Sequence, residues 1–327
     1  MRGPRWQAEV DVLGLFDNAL VQAASYSIAV LGVVLALRVL RYPDLTADGS
    51  FLLGATAFAG ALTAGTGWPV AALAAVAAGC LAGLATAAIH TLVRVNKLLS
   101  GILTSMVCYS LAFRILSGRP NVSILDYRTP YAAASDADRA GRFIELGLHP
   151  LSLGLGLLVL GVVCAGVWML LRSEFGLVLR ATGSRPSLVE RAGRRPARYV
   201  TVGLAVANGL VGLAGAAVTA RQGFVDVNMG VGVIIVLIAA LVLGEETLRH
   251  VWRRVGTSAI GGRVAAAVFG TLLYYLLYLG ILRASLAGIL PIDIRPTDLK
   301  MLSAVMVVAV ILVRVRSQNI EEDPLSF

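Results

Sequence analysis

Asp44, Asp48, Asn208, Asp226 and Asn228 lie inside long apolar runs or at their ends. A charge at mid-bilayer costs at least about 2.5 to 3.5 kcal/mol on insertion scales, so such groups are seldom kept without a use. The chemistry they offer is binding rather than bond-making, because carboxylates and amides in apolar surroundings can line the path of a polar solute. Two structural uses compete with that one. Asp48 stands before Gly49 where a carboxylate caps a helix, and Asn208 sits in a small-residue run where an amide bonds a neighbouring helix. Tyr109 and the group Tyr274, Tyr275 and Tyr278 extend the set as cavity-lining aromatics, against the commoner packing or interface role of aromatic residues in membrane helices.

Other chemistries lack their residues. Cys80, Cys108 and Cys164 fall singly inside apolar runs, without paired spacing or a neighbouring His, which argues against a disulfide framework or a zinc site. His90, His149 and His250 make no H-x-x-H or H-E-x-x-H pattern. No metal or cofactor is expected in this chain. It has no G-x-x-x-x-G-K-[ST] loop and no glycine followed by lysine, so it does not cradle ATP itself. No paired His and Glu, or Ser with a base, marks an intramembrane enzyme, and acidic or His residues near mid-span are too sparse to favour the alternative of an ion-coupled secondary transporter.

The elements that must position these residues are membrane helices. Of the 327 residues 57% are hydrophobic and 14% charged, with a mean hydropathy of +0.81, which is far more apolar surface than one soluble core could use. A spanning helix needs roughly 20 mostly apolar residues. Runs of that kind predict spans near 19–40, 49–66, 68–93, 97–116, 150–171, 198–220, 229–245, 264–286 and 298–314. The expected fold is therefore an all-α polytopic bundle of about nine transmembrane helices, within a range of eight to ten, forming one membrane domain over 1–327 in a lipid bilayer.

The net charge of +9 would point to nucleic acid in a soluble protein, but here the basic residues sit in the short connections between runs, which is the positive-inside pattern. No nucleic acid partner is expected. Segment 172–198 holds seven arginines against Glu174 and Glu190 and sets that side as cytoplasmic. Counting outward puts Arg94 and Lys97, then Arg249, Arg253 and Arg254, then Arg314 and Arg316 on the same side. The connection 117–150, with its mixed charges, and the N-terminus fall on the extracytoplasmic side. No removable signal peptide is read, and Trp6 to Leu20 reads as an amphipathic interfacial helix leading into the first span. A short echo, Tyr42-Pro-Asp44-Leu-Thr46 and Phe224-Val-Asp226-Val-Asn228, lies at opposite ends of the two spans concerned, as an inverted repeat requires.

Within 172–198 the local signals describe a short helix. Ser187-Leu-Val-Glu190 reads as a capping box, or else Pro186 takes the first helical position after Ser184; Gly193 supplies a left-handed stop with Pro196 beyond it. Such a helix would show Leu188 and Val189 on an otherwise charged knob. A knob of that kind suits docking into a groove on a partner, and the competing reading is a plain loop whose arginines only set topology.

The run from Glu174 to Gly215 resembles the coupling segment of type II ABC importer permeases, the superfamily serving branched-chain amino acids and ribose. It carries F-G-x-x-x-R-A-x-G, an acidic residue before A-G, then a small-residue span with Asn208-Gly209 and Leu213-Ala-Gly215. Residues 42–55, 96–121 and 222–232 are similar to a narrower group of permeases assigned to tryptophan or tyrosine uptake. The resemblance implies a subunit of the bacterial cytoplasmic (inner) membrane that imports a small solute, an amino acid and in the narrower group an aromatic one. It implies a homodimer or heterodimer of permeases, the homodimer being the expected form, two cytoplasmic ABC ATPase subunits carrying ATP and Mg, and an extracytoplasmic solute-binding protein or lipoprotein. The coupling residues of the family fall on Glu174, Gly176, Arg180, Gly183, Leu188, Glu190 and Gly193. One departure is the Arg194-Arg195 pair, where relatives continue with an apolar residue and Asn.

Overall fold

A computed structural model describes residues 5–140, 149–255, 259–286, 301, 304, 305 and 308. Eight long helices match eight of the predicted spans. They are α1 (Arg5–Val33) with its continuation Val34–Val39, α2 (Ala47–Thr63), α3 (Trp68–Leu92), α4 (Lys97–Ile115), α6 (Pro150–Arg172), α9 (Pro196–Gln222), α10 (Val233–Val255) and α11 (Ala259–Leu286). Among the described residues seven helices are long and apolar enough to cross a membrane; α2, at 17 residues, is the shorter one. The chain is a multi-pass membrane protein. The ninth predicted span, 298–314, lies outside the described residues except at isolated positions, as do the tail arginines.

The connections hold more structure than the sequence announced. Segment 117–150 contains β1 (Asn121–Ser123) and α5 (Pro130–Ala140), and β1 pairs antiparallel with β2 (Phe224–Asp226), Val122 opposite Val225. Tyr131 of α5 packs toward α1 and α6, with its hydroxyl bonded to Ser25 and its phenol pKa pushed up by burial. Two short helices, α7 (Glu174–Ser184) and α8 (Pro186–Arg191), fill the arginine-rich connection. At the other terminus, the separate interfacial helix expected over Trp6 to Leu20 is instead the first part of α1, which runs on through Gly14 without a break, since no proline intervenes.

Small residues decide which helices touch. α9 lies at the centre, against α3, α2 and α1. A Cβ on Gly83 would stand 2.3 Å from the Leu204 carbonyl oxygen, and one on Gly79 equally close to that of Asn208, so the α3 and α9 backbones meet directly. Gly54 of α2 presses on Gly212 of α9, which also abuts Ala75 and Gly79 of α3, and Gly32 of α1 presses on Ala207. The packing is pseudo-symmetric: α3 rests on α9 as α11 rests on α1, and α2 pairs with α3 as α10 pairs with α11.

Side-chain bonds place the ends of the helices. The Asp17 carboxylate accepts the His149 amide at 2.8 Å, so α1 and α6 start at one end of the bundle. Arg38, in the widened π-helical turn Val34–Val39, makes a two-pronged ion pair with Glu245 of α10 at the other end, and Arg263 of α11 donates to the Arg38 carbonyl at 3.1 Å. The arginine-rich connection belongs to this second end, since a Cβ on Gly183 would meet the Val39 carbonyl oxygen at 2.0 Å.

The five-residue echo is a structural one. The Asp44 carboxylate accepts the Thr46 amide at 2.9 Å, and the Asp226 carboxylate accepts the Asn228 amide at 2.7 Å. Each is a turn closed by its own Asp just before a helix begins. α1 and α2 traverse the bundle in the opposite sense to α9 and α10, so the two turns are related as in an inverted repeat.

Packing of this kind tolerates volume only where space exists. Gly83→Val is expected to destabilise the protein by about 1–3 kcal/mol or more through overpacking. Gly161→Val, on a face of α6 where a Cβ meets nothing within 4 Å, should stay within about 0.5 kcal/mol. Thermal unfolding midpoints in detergent check the contrast, and equal midpoints for the two variants would refute the close α3–α9 contact.

Candidate translocation site and coupling element

Two helices begin inside the bundle rather than at its surface. Asn208, which bonds the turn before α2, lies 12 residues into α9, about 18 Å along it at 1.5 Å per residue. From Ile234 at the start of α10 to Glu245, level with Arg38, is roughly 16 Å by the same rise. Against an apolar slab about 30 Å thick, both starts are near mid-depth.

The turn before α2 is held by a buried polar network. Asp44 is 5% exposed and accepts Asn208 Nδ2 at 2.6 Å, while Asn208 Oδ1 accepts the Ser50 hydroxyl at 2.6 Å. Asn208 Nδ2 also donates to the Leu204 carbonyl in its own helix at 3.1 Å. Around this pair, the Thr46 and Thr86 hydroxyls meet at 2.6 Å and those of Tyr42 and Ser100 at 2.8 Å. The network thus joins the start of α2 to α9, α3 and α4. The free space touching Asp44 and Asn208 is only about 10 Å³, no more than a single water needs.

Asp48 acts one turn further on, and across helices. Its two carboxylate oxygens accept the amides of Gly232 at 3.0 Å and Ile234 at 2.6 Å, two of the groups that a helix start leaves unpaired. The carboxylate of α2 therefore caps α10 rather than its own helix, and the sequence expectation of a local cap at Gly49 is replaced by a long-range one. Asp226 and Asn228 remain in the turn near β2, where Asn228 is exposed.

Beside this junction opens a cavity of about 510 Å³ between α2, α4 and the start of α10. Its walls include Leu52, Ile102, Met106, Val231 and Ile234, with Asp48, Ser105 and Tyr109 as the polar side chains. Ser105 is committed to the Leu45 carbonyl at 2.8 Å. Of the six residues expected on a path, the cavity brings together Asp48 and Tyr109; Asp44 and Asn208 stand behind its wall, and Asp226 and Asn228 stand apart from it. What sequence reading missed is the glycine contribution: Gly49 and Gly230 line the cavity with bare backbone. A signal existed in the glycines that follow both polar turns.

The expected coupling residues are distributed over two helices. The Ser173 hydroxyl caps α7 by accepting the Gly176 amide at 3.2 Å, with Glu174 exposed in the first turn. A Cβ on Gly176 would meet the Leu170 carbonyl oxygen at 2.3 Å, so α7 folds tightly back on α6. Half-buried Arg180 reaches back to the Gly176 carbonyl at 3.3 Å. Pro186 occupies the first position of α8, and no side chain caps that helix, so the Ser187–Glu190 capping box does not form. The reason is the proline, whose fixed φ already sets the start. Gly193 ends the helix at φ +72°. Leu188 is 57% exposed but Val189 is 3% exposed, so the expected apolar pair splits: adjacent helical residues face different ways, and Val189 turns inward. Glu190 is exposed beside Leu188. Arg194 donates to the Tyr199 hydroxyl at 3.0 Å, and Tyr199 lies against Phe175 with ring centroids 5.5 Å apart.

Two charged groups that sequence reading passed over are also placed: Arg38, hidden among arginines taken only as topology signals, and its partner Glu245, each at the edge of an apolar run.

Comparison with known proteins agrees with this architecture. No solved structure matches the chain. A tyrosine transport system permease protein of Clostridioides difficile (strain R20291) is 28% identical over 292 residues, covering 89% of this chain and 88% of that protein. The uncharacterized protein RP368 of Rickettsia prowazekii (strain Madrid E) is 30% identical over 294 residues, covering 90% of this chain and 95% of that one. The model of the branched-chain amino acid transport system / permease component family matches residues 15–313. The resemblance to type II ABC importer permeases therefore holds, and the chain belongs to the branched-chain amino acid transport system permease family.

Proposed function

We propose that the chain is the membrane subunit of an ATP-driven importer of an amino acid with a large apolar or aromatic side chain, working in a bacterial cytoplasmic membrane. The observation that carries this reading is the cavity at the junction of two helix starts, apolar in its walls and set at mid-depth between two inverted halves. Its volume of about 510 Å³ accommodates a solute of that size, and its apolar lining suits the side chain. The substrate class also follows the name of the tyrosine transport relative, extended here to this chain. In this reading α4 and the starts of α2 and α10 form the path wall. Asp44 and Asn208 hold that wall, and Tyr109 faces the solute.

The end bearing α7 and α8 is cytoplasmic, by the charge rule, and the end bearing α5 and the β1–β2 ribbon faces outward to a solute-binding protein. ATP and Mg belong to partner ATPase subunits. They grip α8 through exposed Leu188 and Glu190, while Val189 anchors the knob to the bundle. A second permease copy completes the transporter. Reorientation of the bundle by movement of α7 and α8 is the mechanism, and no bond is made in this chain.

Co-expression with the neighbouring ATPase and purification in mild detergent test the assignment. The ATPase is expected in stoichiometric amount with the wild type and absent when residues 184–195 are replaced by a flexible linker. Leu188→Ala and Glu190→Ala should keep the fold and reduce solute uptake several-fold per ATP hydrolysed. Uptake that needs only an ion gradient, with no ATPase bound, would overturn the importer reading. Within the bundle the two polar roles separate. Asn208→Leu takes the amide donor from Asp44 Oδ2 and the acceptor from the Ser50 hydroxyl, and should cost about 1–3 kcal/mol or more in stability. Tyr109→Ala should leave the unfolding midpoint nearly unchanged and alter uptake in reconstituted vesicles. If Tyr109→Ala transported every tested amino acid as the wild type does, the cavity would not be the path.

A further inference from the structure

Arg221, in the last turn of α9, is a cation that the transport mechanism does not use. Its Nη1 donates to Asn18 Oδ1 at 3.2 Å and its Nη2 to Gln22 Oε1, both on α1. These partners are neutral. Its Nε is sealed from solvent and has no hydrogen-bond partner. None of the ion pairs among the described residues includes Arg221. Among the described residues, two carboxylates at this end are already committed: Asp17, which acts on Arg221 electrostatically, accepts the His149 amide, and Asp138 accepts the Leu151 and Ser152 amides and the Ser152 hydroxyl, so both hold the start of α6. Behind the guanidinium, Tyr26 and Tyr275 pack with ring centroids 5.4 Å apart, and Tyr275 is hydrogen-bonded to Gln22.

A guanidinium fixed by two amides, with N–H donors left over and no ion-pair partner among the described residues, is an arrangement prepared for a planar or tetrahedral oxyanion. The location favours an incoming ligand over an internal one. Arg221 is about 37 Å along α9 from Pro196 at 1.5 Å per residue, so it stands at the end opposite α7 and α8, beside the exposed Asn18 and Phe16. The favourable interaction of a basic side chain with a helix C-terminus explains its position in the last turn but not an unpartnered, buried Nε.

We propose that Arg221, with Asn18 and Gln22, forms an oxyanion-binding site between α1 and α9 at the end of the bundle away from the arginine-rich connection. The ligand is a phosphate-type group, supplied either by the headgroup of an anionic phospholipid or by a free phosphate ester. This assignment uses only the geometry of the site and stands whether or not the chain imports an amino acid.

The test is thermal unfolding of the purified full chain in an uncharged detergent with three additions: short-chain phosphatidylglycerol, glycerol phosphate and short-chain phosphatidylcholine. An anion bound only by the folded state raises the midpoint as its concentration passes Kd. The expected result is a rise of several degrees with phosphatidylglycerol, glycerol phosphate or both, above any rise with phosphatidylcholine. That rise should be abolished in Arg221→Gln and partly kept in Arg221→Lys, which retains charge without the fork. A rise with phosphatidylglycerol alone assigns the site to lipid, and a rise with both assigns it to the phosphate group itself. If neither anion shifts the wild-type midpoint more than phosphatidylcholine does, the proposal fails, and this arm needs no variant to fold. An undiminished shift in Arg221→Gln overturns it equally.

Discussion

A helix that starts at mid-depth in an apolar bundle leaves amide groups unpaired away from bulk water, and everything around the mid-depth junction of this protein answers to that constraint. Asp48 resolves it for α10 by accepting two of its first amides. Asp44 resolves it for the turn before α2, and is in turn held by Asn208 of the central helix. The two solutions are linked, because Asp44 and Asp48 stand one turn apart at the start of α2. Both breaks are therefore one structural unit, and the cavity beside them exists because the chain there is backbone turn and glycine rather than packed helix.

The central position of α9 follows from the same need. To bring Asn208 within 2.6 Å of Asp44, α9 must approach α2 closely, and the small residues at 54 and 212 let it do so. α3 approaches the α9 backbone just as closely at Gly79 and Gly83, so shape and the polar network share the task that bulky interdigitation performs in a water-soluble core.

Helix positions were legible in the sequence because apolar length is a strong signal: the predicted run 68–93 and the observed Trp68–Leu92 differ by one residue. The polar turn echo was legible as well, since five residue types sufficed to show it. What the sequence did not reveal depends on contacts distant along the chain. Asp48 reads as a local cap because its partners are 184 and 186 residues away. Val189 reads as exposed because nothing in a six-residue helix states which side faces the bundle. Arg38 and Arg221 read as two among many arginines, and only the side chains opposite distinguish the paired one from the one with an idle donor. The β1–β2 ribbon was invisible because three-residue strands 100 positions apart carry no periodicity of their own.

The contact of Gly183 with the carbonyl of Val39 is made by backbone alone. A side chain at such a joint would act as a spring, changing rotamer and absorbing part of any displacement; bare backbone has no such compliance. Leu40, the next residue, is also the one that Gly203 of α9 abuts, and Asp44 follows four residues later. If α8 is the coupling element proposed above, force applied there would pass through a stiff joint into the stretch of chain that ends at the mid-depth junction, and the throw of that lever would be set by the rigidity of one glycine contact instead of by the area of the surface being gripped.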